Sequence, residues 1–127
     1  MCYSRRTKRT CSSSVGAGAI ATRTNLTTTG GGSNLVFDAT DKSFINIVWT
    51  ASGSLAGFDG GKDGQILYLW SNATGVGYTI SNENANANAE DRIVTGTAGT
   101  ITMSNEGGAT LIYNGIISRW AVLSFNA

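Results

Sequence analysis

The residues able to do chemistry are few and scattered. Asp38, Asp41, Glu83, Glu90 and Asp91 are the acids from which a carboxylate pair for glycoside hydrolysis could be drawn. That mechanism needs two carboxyls roughly 5–9.5 Å apart, and five acids spread along a chain permit such a pair without specifying one. The expected state of these acids is solvated turn residues, with Arg92, next to Asp91, in a local or intersubunit ion pair. The loop GFDGGKDG at Gly57–Gly64 invites two further readings. A phosphate-binding loop needs Gly five residues before its Gly-Lys pair and Ser or Thr after it, but Ala56 and Asp63 stand there and a strand follows instead of a helix. An acidic calcium loop opening at Asp59 and Asp63 has Gly61 between them and Trp70 where the bidentate Glu belongs. A Gly-rich turn is the simpler reading. The chain has no His, which removes the usual base of serine and cysteine dyads and the commonest metal ligand. Cys2 and Cys11 lie in a segment without His, Asp or Glu, so free thiols are expected and no metal site. No catalytic residue, cofactor or metal is therefore expected, and the protein reads as a non-enzyme.

The 127 residues fit one domain, and only 13% are charged. Charge is segregated. Residues 1–14 hold Arg5, Arg6, Lys8 and Arg9 and no acid, while the remainder carries all eight acids. The division expected is a basic N-terminal arm and Gly/Thr-rich linker over 1–33 and a β domain over 34–127. The arm, with Tyr3 as its aromatic residue, reads either as a docking element for an acidic partner or nucleic acid, or as a solvated tail. No segment has the roughly 18 continuous apolar residues of a membrane span, and no membrane is expected as a partner.

Strands are predicted at Leu35–Asp38, Phe44–Thr50, Ile66–Trp70, Gly77–Ser81, Ile93–Thr95, Thr100–Ser104, Ala109–Asn114 and Arg119–Phe125, joined by Gly, Asn and Asp turns. In Phe44–Thr50 the residues Ile45, Ile47 and Trp49 share one face. In Ile66–Trp70, Leu67 and Leu69 oppose Ile66, Tyr68 and Trp70. Asn114-Gly115 between apolar runs marks a hairpin. This spacing predicts an all-β fold, a single antiparallel sandwich or jelly-roll-like barrel. Strands apolar on both faces predict a homo-oligomer that covers the surplus. Trp49, Tyr68, Trp70, Tyr113, Arg119 and Trp120 are the candidate core or subunit-interface residues, a stacked Arg119–Trp120 platform being the less favoured alternative. The run NENANANA at Asn82–Ala89 predicts either an ordered loop tied by Asn side chains or a loose excursion. Its Asn content, with aromatic rings, also suits a hydroxyl-rich ligand. Asn25 and Asn72 begin glycosylation-type triplets, a pattern common by chance in such a chain.

Three segments in order, GFDGGKDGQILYLWSNATG, YTISNENANANAEDRIVTGTAGTITM and GGATLIYNGIISRWAVLS, resemble a β module recurring in tailed-bacteriophage fibre, spike and other virion-surface proteins. The resemblance spans about Ser54–Ser124. It implies a virion component, typically trimeric and assembled in the host cytoplasm. A fibre carries a long repetitive shaft ahead of such a module, whereas here some fifty residues precede it. The expectation is therefore a capsid-decoration or short head-fibre subunit whose arm, through Tyr3, Arg5, Arg6, Lys8 and Arg9, grips the major capsid protein or another virion protein. The alternative is a receptor-binding tail-fibre or tail-spike module that recognises a host surface glycan through loops at one end of the barrel. The departures at Lys62 and at Glu90-Asp91 carry no transferable role.

Overall fold

The structure, a computed structural model, describes residues 24–72, 76–103 and 106–126. Eight strands form one sheet: β1 (Thr24–Asp38), β2 (Lys42–Asp59), β3 (Ile66–Asn72), β4 (Tyr78–Ile80), β5 (Ile93–Val94), β6 (Ile101–Met103), β7 (Gly107–Asn114) and β8 (Arg119–Asn126). One 3₁₀ turn, Ala89–Asp91, precedes β5. The all-β class holds and each predicted strand falls on an observed one, but β1 and β2, at 15 and 18 residues, extend well beyond the predicted Leu35–Asp38 and Phe44–Thr50, and β1 runs across the 33/34 division.

The sheet is mixed and curled into a half-barrel, which corrects the expectation of a purely antiparallel fold. β2 pairs in parallel with β1, β3 and β4, and β5 pairs in parallel with β8. Parallel neighbours ordinarily need a crossover of a dozen residues or more, yet only Ala39–Asp41 join β1 to β2. The register resolves this. Thr24 lies beside Lys42 and Asp38 beside Asp59, while the Lys42 N–H donates to Ala39 O at 3.0 Å, so each long strand bends until its two ends meet. β1 is thus one curled layer and β2 the next. β3 and β4 together form a third, seated on the first and second halves of β2 (Phe44 beside Tyr68, Leu55 beside Ile80). The fourth layer, β6 then β7, runs antiparallel to the third. Alternation of side chains is the same in parallel and antiparallel strands, which is why pattern alone pointed the wrong way.

The inward residues make one core: Ile45, Ile47, Leu55, Phe58, Leu67, Ile80, Leu111 and Trp120 are fully buried. Full burial of an aliphatic or Phe side chain contributes about 1.5–3 kcal/mol. The half-barrel is drawn together at one seam. Gly57 bridges to Arg92, the Trp120 N–H donates to Arg92 O at 2.9 Å, and the Trp120 indole N–H donates to Phe58 O at 2.9 Å. The rings of Phe58 and Tyr113 meet Trp120 edge-on at 5.8 and 5.2 Å. A side chain at Gly61 would run into the rings of Tyr113 and Trp120, so the GFDGGKDG loop has glycine there because it lies flat on the core.

Candidate functional site

β3 exposes what its period of two demands. Leu67, Leu69 and Ser71 are buried, and Tyr68 and Trp70 stand 38% and 39% exposed on the outer face. The register aligns two rows across four strands there, Phe44–Tyr68–Thr110–Ser124 and Asn46–Trp70–Gly108–Asn126. Between them lies a shallow groove of about 490 Å³, lined by Phe44, Tyr68, Trp70, Thr110, Ser124 and Asn126 among others, none of them charged.

Trp70 is held from two sides. Its indole N–H donates to Asn72 Oδ1 at 3.1 Å, and the Asn72 amide donates to Asn46 Oδ1 at 2.7 Å, a chain reaching from β3 to β2. Its ring lies against the backbone of β7: a Cβ at Gly108 would come within 3.0 Å of the ring carbon Cε3. Glycine at that position lets the indole lie down on the sheet.

The remaining sequence candidates separate. Trp49 is buried and stacks on Tyr78, with ring centroids 4.5 Å apart, while Tyr113 and Trp120 belong to the core seam. Arg119 is no stacking platform for Trp120: it is half-buried, with Nε donating to Glu83 Oε1 at 2.7 Å. Tyr3, Arg5, Arg6, Lys8 and Arg9, and the two cysteines, lie outside the described residues. Among the acids, Asp38 is exposed and hydrogen-bonded to Thr40, which holds its carboxyl below the ordinary value. Asp91 is buried, and its carboxyl is pushed up first by burial and then by the charges of Asp59 and Glu90, against a hydrogen bond from Asn88. Burial likewise raises the Tyr113 phenol, whose hydroxyl donates to Glu90 O at 2.8 Å.

The loops have internal structure. Asn82 Oδ1 accepts from the Thr95 N–H at 3.0 Å, Asn84 Oδ1 from the Asn86 N–H at 2.9 Å, and the Asn84 amide donates to Asn34 Oδ1 at 2.8 Å, so the Asn-rich run is an ordered loop. In the loop before β3, Asp63 Oδ1 accepts from the Gly115 N–H at 2.8 Å and Lys62 lies 3.6 Å from Asp41, the former binding the loop to the β7–β8 turn. Sequence reasoning missed Gln65. Its amide donates to both Ala39 O and Lys42 O at 2.8 Å, closing the gap where one curled layer passes to the next. Among the described residues no cluster of three or more metal-ligating side chains occurs, and no helix is long and apolar enough to cross a membrane.

No protein-family model matches the chain, and no curated protein matches it. A chain in a solved structure described as a chaperone–substrate complex is similar at a TM-score of 0.40 and 12% identity, over 72% of this chain and 14% of that one. A likeness that weak carries no argument about fold or function.

Proposed function

We propose that the protein is a non-enzymatic structural component of a bacteriophage virion, a capsid-decoration or short head-fibre subunit that works as a homotrimer and is anchored by its basic N-terminal arm. The observation that carries the assembly reading is the unfinished first layer. One edge of β1 pairs with β2, and among the described residues no strand pairs with the other. Inward-facing Leu26, Leu35 and Phe37 pack on the core but remain only partly buried, and Val36 is 40% exposed. A stacked fold needs a cover over its last layer, and a fifteen-residue open edge above half-covered apolar side chains is a surface made for more protein. The virion location is supported by the ordered resemblance over Ser54–Ser124 and by the four bases of residues 1–14.

Two measurements test this reading. Light scattering of the full chain at micromolar concentration is expected to give three times the chain mass, and a stable monomer would remove the assembly proposal. In co-sedimentation with undecorated phage heads, the full chain is expected to bind at saturable occupancy and the chain lacking residues 1–14 to bind at least tenfold less. Equal occupancy would remove the anchoring role of Tyr3, Arg5, Arg6, Lys8 and Arg9, and failure of both to bind would remove the capsid location.

A further inference from the structure

We infer that the outer groove over β3 is a binding site for a neutral saccharide, with Trp70 and Tyr68 as its stacking surfaces. The inference does not depend on the assembly reading, since the groove lies on the face of the sheet and not at the open edge of β1.

The first argument is pre-organisation. Trp70 has its lower face on Gly108 and its indole N–H occupied by Asn72, which is in turn fixed by Asn46. Fold stability explains a buried tryptophan, but this one is 39% exposed with its orientation already set. A ligand stacking on the remaining ring face pays little to order it. Tyr68, two residues earlier on the same strand and so roughly 6.6 Å away along the backbone, presents a second exposed ring on the same face.

The second argument is the chemistry of the lining. A sugar ring presents C–H faces to an aromatic surface and hydroxyls at its edges. Thr110, Ser124 and Asn126 flank the rings and supply neutral donors and acceptors at that level. The groove has no Lys or Arg among its lining residues, so it lacks the cations that would hold a phosphate backbone. A second protein sheet laid over the same face would have to find partners for the Thr110 and Ser124 hydroxyls and the Asn126 amide that line the groove, at about 1–3 kcal/mol for every polar group left unsatisfied. At about 490 Å³ the groove lies within the usual range of small-ligand sites.

The test is tryptophan fluorescence and calorimetry of the full chain with cellohexaose, maltohexaose, chitohexaose, mannohexaose and galactohexaose, with heparin hexasaccharide and single-stranded DNA as anionic probes. At least one neutral hexasaccharide is expected to give a saturable change. Trp70→Ala and Tyr68→Ala are each expected to weaken it by about tenfold or more with unchanged circular dichroism. Gly108→Val, whose Cβ would press on Leu69 O as well as on the Trp70 ring, is expected to weaken it as well, read only with circular dichroism unchanged. Should Trp70→Ala fail to fold, Tyr68→Ala decides. No response to any neutral hexasaccharide at about 10 mM, a response to the anionic probes alone, or equal binding by the Tyr68 and Gly108 variants would overturn the inference. Dissociation of the oligomer by Trp70→Ala, without any saccharide response in the unaltered chain, would assign the groove to a subunit contact and overturn it too.

Discussion

Asp91 is a carboxyl at which burial and charge act together against ionisation. It is 5% exposed and lies under the Gly57–Arg92 bridge, and its carboxyl is raised by burial, then by Asp59 and Glu90. A carboxyl raised in the folded state binds a proton there that the unfolded chain has already released. Its contribution to stability is therefore complete below the ordinary carboxylate value and is lost as pH rises through the folded one. Asp38 has the opposite sign: held low by Thr40, its contribution is present above the ordinary value and is lost as pH falls through the folded one. Urea midpoints from pH 3 to 7 are expected to show Asp91→Asn more stable than the parent at neutral pH, with the downward slope above pH 4 flattened. A slope unchanged in Asp91→Asn would mean another group titrates there. The sequence marked Asp91 and Arg92 as neighbours opening a strand, but their environment is tertiary. Within the chain Arg92 Nε donates to Ala87 O at 3.1 Å, a backbone partner that side-chain spacing does not announce.

At the scale of the strand, apolar alternation separated the two faces of β2 and β3 but not which of them turns inward, and the cover expected over both is present on one, with Val48, Tyr68 and Trp70 exposed on the other. The split of Ile45, Ile47 and Trp49 from Phe44, Asn46 and Val48, and of Leu67 and Leu69 from Tyr68 and Trp70, is the one observed. Strand direction and curl were not legible, because they depend on which backbone lies beside which. The signal that could have shown them is glycine without a turn. Gly57 sits inside β2, and a Cβ on it would collide with Asp91 O at the seam. Gly57→Ala must either push the 3₁₀ turn away or open the half-barrel, and overpacking of this kind costs about 1–3 kcal/mol. Gly99→Ala, where a Cβ meets nothing within 4 Å and the backbone is not left-handed, is the matched control. Thermal melts are expected to show a clear drop for Gly57→Ala and almost none for Gly99→Ala. Equal melting temperatures would mean that the seam yields without cost and that closure at Gly57–Arg92 is not a source of stability.

The molecule as a whole has two unlike regions. The seam around Trp120 joins β8 to β2 through the indole N–H on Phe58 O and to Arg92, which bridges to Gly57 of β2, through the backbone, while the β1 edge ends in partly covered side chains. The surplus apolar surface that the sequence suggested is thus spread over that edge, the outer faces of β2 and β3 at Val48, Tyr68 and Trp70, the β7–β8 turn at Ile116 and Ile117, and β8 at Leu123 and Phe125, and the β1 edge is the longest backbone open for pairing among the described residues. A residue pair on β1 separates edge stacking from every other mode of association. By register, Thr28 stands over inward-facing Ile47 and Thr27 over outward-facing Asn46. In an uncovered first layer, a lysine at 28 can lift its ammonium into water along its aliphatic stem. Beneath an added strand it would be an unpaired charge in the core, the device by which natural edges refuse partners. Sedimentation velocity at micromolar concentration is expected to show Thr28→Lys dissociated and Thr27→Lys assembled like the parent, both with a cooperative melt. If Thr28→Lys assembles as well as Thr27→Lys, subunits do not stack on β1. The oligomer would then have to be sought on the face that carries Trp70, where it would compete with the saccharide groove for the same rings.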